Sequence, residues 1–278
     1  MAYKTILVHL DSSRRCPERV ALAAQWAKAH GGRLVGLVPT GLYDGLIPAE
    51  ALRPGPPDFI AASRDFLRER AERISREFRQ RIGDDVPYEV LLVDDLAVDA
   101  VVRHGRTSDL VVLGQTDPEE PQSEPEVDDL PQRVLMEAGC PVLAVPFAGD
   151  FGGMPQSAVI AWDGSREASV AIRAALPALK LARNVTVIRF AEAQEEPESD
   201  PSSGRLLQFL HLHGVQASAR REISDIDTGD ALLSRLTDLG TDLLVMGGYG
   251  HSRFRELVLG GVTRRILGSM TVPVLMAH

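Results

Sequence analysis

Residues 6–13, ILVHLDSS, come back 152 positions later as residues 158–165, AVIAWDGS, each an apolar run closed by an aspartate. A helical pattern follows both. After the first comes PERVALAAQWAKAHGG at 17–32, and after the second REASVAIRAALPALKLA at 166–182, with apolar residues at three- and four-residue steps as an amphipathic helix requires. Each helix leads to another short apolar run, RLVGLV at 33–38 and VTVIRF at 185–190. Further on, DLVVLG at 109–114 pairs with DLLVMG at 242–247, and CPVLAVP at 140–146 with VPVLMAH at 272–278. The chain therefore reads as one unit written twice.

Runs of Val, Ile and Leu that alternate with amphipathic helices describe parallel strands buried on both faces, because βαβ crossovers lay helices over the sheet. The expected fold is α/β, two repeated doubly wound domains, each a five-stranded, mostly parallel sheet flanked by helices. The expected boundaries are 1–147 for the first domain, 148–156 for a linker (AGDFGGMPQ, with the glycines and proline of a connection) and 157–278 for the second. The offset between matched positions falls from 152 to about 132, so the first half carries roughly 20 extra residues. They are expected in PTGLYDGLIPAEALRPGPPDF at 39–59, a loop or lid by its Pro and Gly content. A long crossover helix is expected over 60–82, with Ile60, Phe66, Leu67, Ile74, Phe78 and Ile82 near one stripe.

Composition narrows the function classes. At 278 residues, 44% of them apolar and 25% charged, the chain has the makeup of a folded globular protein. A formal charge of −9 argues against a partner held by phosphate neutralisation, so no nucleic acid is expected. The opening MAYKTILVHLDS has no long apolar segment before a cleavage site, and no apolar run approaches a membrane span, which sets a cytoplasmic location and no membrane contact as expectations. The two cysteines, Cys16 and Cys140, lack neighbours at metal-ligand spacing, so no metal site is expected. Cys16 precedes Pro17, a good first helical residue; its thiol is either acidified by a helix N-terminus or an ordinary inert thiol, and the second reading is preferred.

In an open parallel sheet, ligands gather beyond the carboxyl ends of the strands. Two loops of the second half qualify: the one with Asp163, Gly164 and Ser165, and the one that reads GGYGHSRFRELVLGGVTRRIL at 247–267. Gly247 and Gly250 let the backbone approach a bound group, Gly260 and Gly261 open a second anion-cradling turn, and His251, Arg253 and Arg255 supply donors. Neither a Walker pattern nor a complete Gly-x-Gly-x-x-Gly is present, and on spacing alone these glycines read as ordinary turn residues rather than a ligand site.

These residues resemble the universal stress protein A family, whose nucleotide-binding members carry Gly, two residues, Gly, nine residues, Gly, then Ser or Thr. Gly247, Gly250 and Gly260 fit that spacing, and the repeat order, the strand-end aspartate and the closing strand extend the resemblance over nearly all of each half. The resemblance implies a Rossmann-like, adenine-nucleotide alpha-hydrolase-like fold and members that bind ATP or none. It places Asp163 at the adenosine end, the Phe190 backbone beside the base, and Met246, Gly247, Gly250, Gly260, Gly261 and Val262 around ribose and phosphates. Gly261 stands where Ser or Thr is usual, which keeps a backbone N–H and removes a hydroxyl; Thr263 is the nearest compensation. The first half departs further. After Gly114 the second glycine is replaced by Asp117, and seven acidic residues occur from Asp117 to Asp129 with no Lys or Arg, so no ATP is expected there and the stretch reads as a mobile surface loop.

The expected function is a stress-related regulatory protein that binds one adenine nucleotide, ATP with magnesium, in its second half, with no permanently bound cofactor. The alternative is an interaction module of the same family without nucleotide. The resemblance also implies that the closing strands of the two halves pair within the chain as a pseudo-dimer, leaving other surfaces for a homodimer. An enzyme is the third class: no paired carboxylates, no Gly-x-Ser-x-Gly and one loop histidine offer no catalytic residue, so slow ATP hydrolysis is the most expected of it.

Overall fold

The structure is a computed structural model that describes residues 2–42, 57–82, 85–117, 119, 129–191, 201–250 and 261–278, with side chains left undescribed at 57–64 and 201. The apolar runs of the first half become β1 (Thr5–His9), β2 (Arg33–Pro39), β3 (Tyr88–Val93), β4 (Leu110–Gly114) and β5 (Val142–Val145). Between them lie α1 (Cys16–His30), α2 (Pro57–Ile82), α3 (Ala97–Gly105) and α4 (Leu130–Glu137). The second half repeats the alternation as β6 (Ser157–Ala161), α5 (Arg166–Leu179), β7 (Asn184–Phe190), α6 (Pro201–Leu212), β8 (Ala217–Glu222), α7 (Thr228–Asp238), β9 (Leu243–Gly247), α8 (Gly261–Ser269) and β10 (Val274–Ala277).

All ten strands join one sheet in the order β3-β2-β1-β4-β5-β10-β9-β6-β7-β8. Pairing is parallel within each set of five, as the doubly apolar runs require. The closing strands meet at the centre in the one antiparallel pairing among the described strands, with Val274 opposite Ala144 and Met276 opposite Val142. Reading outward from that seam, the second set of strands has the same order as the first.

Alternation of side chains along the strands divides the core into two layers. Ile6 and Val8 point to the face covered by α1 and α2, where Trp26, Ile74 and Phe78 are buried; Leu7 points to the face with Val98, Val101 and Leu135 from α3 and α4. The second half does the same with Ile160 against Ile172 and Leu210, and Val159 against Leu232 and Ile266.

Two expectations change. Helix α2 starts at Pro57, inside the stretch expected as a loop, and at 26 residues against 12 for α6 it absorbs much of the first half's extra length. The rest of the expected lid, 43–56, lies outside the described residues, as does 120–128 of the acidic stretch. The apolar stripe of α2 also stops short: Ala71, Ile74, Phe78 and Ile82 are buried, whereas Phe66 is 63% exposed. A helix of that length runs to about 39 Å, and the seven-residue β2 spans roughly 23 Å, so the upper turns of α2 overhang the sheet. Residues 146–156 carry neither helix nor strand, yet Phe151 and Met154 pack against the core and Gly149 O accepts a bond from Arg15. No described helix is long and apolar enough to cross a membrane.

Candidate functional site

In the second set the chain runs β6, β7, β8 to one side and β9, β10 to the other, so β6 and β9 are neighbours whose outgoing chains diverge. That is a topological switch point, the place where a doubly wound sheet opens a crevice at its carboxyl edge. Asp163 follows β6, Phe190 ends β7 and Gly247 ends β9, all on that edge.

The start of α5 is held by two short bonds. Asp163 Oδ1 accepts the Ser165 N–H at 2.9 Å, and Ser165 Oγ caps the helix by accepting the Ala168 N–H at 3.1 Å. This first turn presses against the end of β9: a Cβ on Gly247 would lie 2.5 Å from Ala168 N and 2.8 Å from the Glu167 carbonyl carbon. Gly247 is thus a glycine because a helix N-terminus occupies the space of its side chain. Beyond it, Tyr249 adopts φ +53, the sole non-glycine residue at positive φ among the described ones, and its N–H donates to Thr263 Oγ1 at 3.2 Å. That bond ties the glycine loop to the first turn of α8.

Glu167 is the residue that sequence reasoning missed. It is 8% exposed, and its Oε2 lies 3.0 Å from where a Cβ on Gly250 would stand. A carboxylate in the first turn of a helix reads from sequence as a solvated partner of the helix dipole; only the approach of β9 buries it. The repeat held a signal, because the matching position in the first half is Arg15.

The residues expected at the site fall into distinct environments. Asp163 and Gly261 are exposed, and among the described residues nothing lies within 4 Å of a Cβ on Gly261, which begins α8. Met246 is buried, while Phe190 and Val262 are partly buried against the same core layer, so these three turn side chains inward. Thr263 is buried with its hydroxyl oxygen accepting from Tyr249. Gly260, His251, Arg253 and Arg255 lie outside the described residues. Among the described residues, no group of His, Cys, Asp and Glu is placed to hold a metal ion.

The first half places a buried ion pair at the matching strand ends. Its switch point lies between β1 and β4, and Asp11, the counterpart of Asp163, binds Arg19 Nη2 at 2.8 Å. Arg19 is 3% exposed, donates from Nε to His9 O at 2.9 Å, and lays its guanidinium where a side chain on Gly114 would go. The second half has Ala161, Ala168 and Ala171 where the first has His9, Cys16 and Arg19. Burial alone would raise the Asp11 carboxyl, but Arg19, His9 and bonds from Ser13 hold it below the usual carboxylate range. Burial pushes the His9 imidazole down to about 4, with Asp11 opposing and Arg19 assisting. The Cys16 thiol is buried and raised, chiefly by desolvation, so it is not an acidified thiol at a helix N-terminus; burial likewise pushes Cys140 up to about 11.

The two halves also meet around the seam. Gln115 Nε2, just past β4, donates to Leu267 O in α8 at 2.9 Å, and Gly248, just past β9, leaves room for the Leu135 side chain of α4. The glycine loop of the second half therefore rests on a helix of the first.

Together the sheet and its strand-end crevice define a doubly wound α/β protein. More particularly, residues 154–278 match the model of the Universal stress protein family and carry a domain of it. The chain is 27% identical over 89 residues to a universal stress protein of Synechocystis sp., a stretch that covers 32% of this chain and 30% of that relative's length, so the chain spans under a third of the curated relative it matches. Among solved structures it resembles a universal stress protein from Archaeoglobus fulgidus DSM 4304, with TM-score 0.72 and 16% identity over 98% of this chain and 97% of the other. It also resembles a functionally unknown protein from Pseudomonas aeruginosa PAO1, with TM-score 0.54 and 18% identity over 99% and 92%. These two likenesses concern the fold.

Proposed function

We propose that the chain is a tandem universal stress protein, with Usp domains at 1–147 and 157–278 joined by 148–156, and that the second domain binds one adenine nucleotide, ATP with magnesium, while the first binds none. One observation carries this reading. Among the described residues, the switch-point crevice of the second half is bordered by Gly247, Gly250 and the start of α8, whereas in the first half the buried Arg19, paired with Asp11, occupies the place of a side chain on Gly114.

In this reading the base lies by Asp163 and the Phe190 backbone. Ribose and phosphates run across Gly247, Gly250, Gly260, Gly261 and Val262, where backbone N–H groups and the N-terminus of α8 favour negative charge. Met246 contributes main chain, and Thr263 holds the loop through Tyr249. Magnesium would ride on the polyphosphate, and the buried Glu167 carboxylate beside Gly250 fits such a cation. The bound nucleotide acts as a signal read by a protein partner in the cytoplasm, with a second copy of the chain as a further partner, and hydrolysis is at most slow.

A nucleotide-free interaction module is the competing reading, favoured by Gly261 in place of a hydroxyl residue and by the engagement of the Thr263 hydroxyl with Tyr249. Calorimetric titration of protein stripped of carried-over ligand, with ATP, ADP and AMP in magnesium, separates the two. One site per chain with micromolar ATP affinity supports the nucleotide reading; no heat at millimolar ATP ends it and leaves the module.

A further inference from the structure

The cradle proposed for the phosphates contains a fixed negative charge. Glu167 sits in the first turn of α5 with its backbone against Gly247 and its Oε2 beside Gly250, in a residue 8% exposed. Its recorded ion pair is with Arg166 Nη1 at 3.4 Å, longer than a good charge-assisted bond, from a side chain that is 73% exposed. Among the described residues, Asp163 Oδ1 accepts the Ser165 N–H, and Arg265 Nε donates to Asp230 at 2.6 Å. A polyphosphate laid along Gly247 and Gly250 would meet that carboxylate inside a partly desolvated crevice, where repulsion between like charges is stronger than in water.

We propose that Glu167 is the specificity-determining residue that makes this site accept a polyphosphate as its divalent-metal complex and reject the metal-free anion. The inference rests on the nucleotide reading above. A divalent cation carried on the phosphates turns the repulsion into attraction, because a hard cation takes carboxylate and phosphate oxygens together. The same carboxylate that weakens binding of bare ATP thereby strengthens binding of the complex. The first half has the opposite charge, Arg15, at the matching position, so this selectivity belongs to the second half alone.

The test is equilibrium titration of the full chain with ATP, once in excess magnesium and once in excess EDTA, for wild type, Glu167→Gln and Glu167→Asp. The wild type is expected to bind the magnesium complex at least about tenfold more tightly than metal-free ATP. Glu167→Gln, which keeps shape and removes charge, is expected to bind metal-free ATP about tenfold better than wild type and to lose most of the magnesium preference. Glu167→Asp keeps the charge and should keep the preference. A Glu167→Gln protein with the wild-type magnesium preference overturns the inference while the nucleotide reading stands, and so does a Glu167→Asp protein that behaves like Glu167→Gln. Absence of ATP binding in all three proteins, under both conditions, overturns the nucleotide reading and this inference with it.

Discussion

Arg19 Nη2 lies 2.8 Å from the Asp11 carboxylate, inside the switch-point crevice of the first half. Arg19 is nearly fully buried, so the charge on Asp11, whose side chain keeps 27% exposure, is what balances it. Removing one partner of such a pair leaves an uncompensated charge. Arg19→Ala, which also empties the space over Gly114, is expected to cost about 3 kcal/mol of stability, read as a lower denaturant midpoint. Asp11→Asn is expected to cost a similar amount, because the guanidinium then stays buried alone. Neither variant is expected to create an ATP site, since Asp117 stands in the first half where the second glycine would be.

The neighbouring His9 sets a pH dependence. Its folded pKa of about 4 lies below the ordinary value of 6.5, so between those values the unfolded chain binds more protons than the folded one. Stability from this group is complete above about pH 6.5 and falls as the pH drops toward 4, by about 3 kcal/mol at most. Asp11, whose carboxyl is also depressed, adds a loss below its ordinary range. Denaturant midpoints measured from pH 7.5 to 4 should decline over that interval, and His9→Leu should flatten the slope.

Three glycines of the loop are expected to respond differently to a methyl group. Gly247→Ala puts a Cβ into the backbone of α5, so it should destabilise the protein by about 1–3 kcal/mol and abolish measurable nucleotide binding. Gly250→Ala meets, nearest among the described residues, the flexible Glu167 side chain and should be milder. No described residue lies near a Cβ on Gly261, so Gly261→Ser should leave stability within about 0.5 kcal/mol and raise ATP affinity by up to about tenfold, the worth of one regained hydrogen bond. Thermal melts and calorimetry on the same three proteins check the order.

Leu135 belongs to the first half and lies under Gly248 of the second. Leu135→Ala should open a cavity in the core and cost about 2–4 kcal/mol. It should also weaken nucleotide binding in the other half, because the loop loses its support. Binding unchanged in a variant that melts earlier would show that the loop stands without the seam.

The fold was legible because its strands are buried on both faces, so each appears as an uninterrupted apolar run, and because the runs occur twice in one order. The extent of α2 was not, since Pro57 tolerates both a loop and a first helical turn, and only packing shows that Phe66 is exposed while Ala71, Ile74 and Phe78 are buried. At the site, the glycine positions could be read, but their reason could not. Gly247 is explained by the approach of Ala168, a contact between elements 79 positions apart. The contrasts of Arg19 with Ala171 and Arg15 with Glu167 were present in the repeat. A single charged residue on a helix reads as solvated until the neighbouring strand end that buries it is known.

The antiparallel pairing of Val274 with Ala144 turns the second set of strands against the first. Carboxyl ends that point to one rim of the sheet in one half point to the opposite rim in the other. The molecule is therefore two-ended, with the Arg19–Asp11 pair on one rim and Gly247 and Gly250 on the far side. A partner gripping the rim that carries Arg19 would stand away from the glycine rim, joined to it through the central strands and the helix ends beside them, α4 under Gly248 and α8 against Gln115.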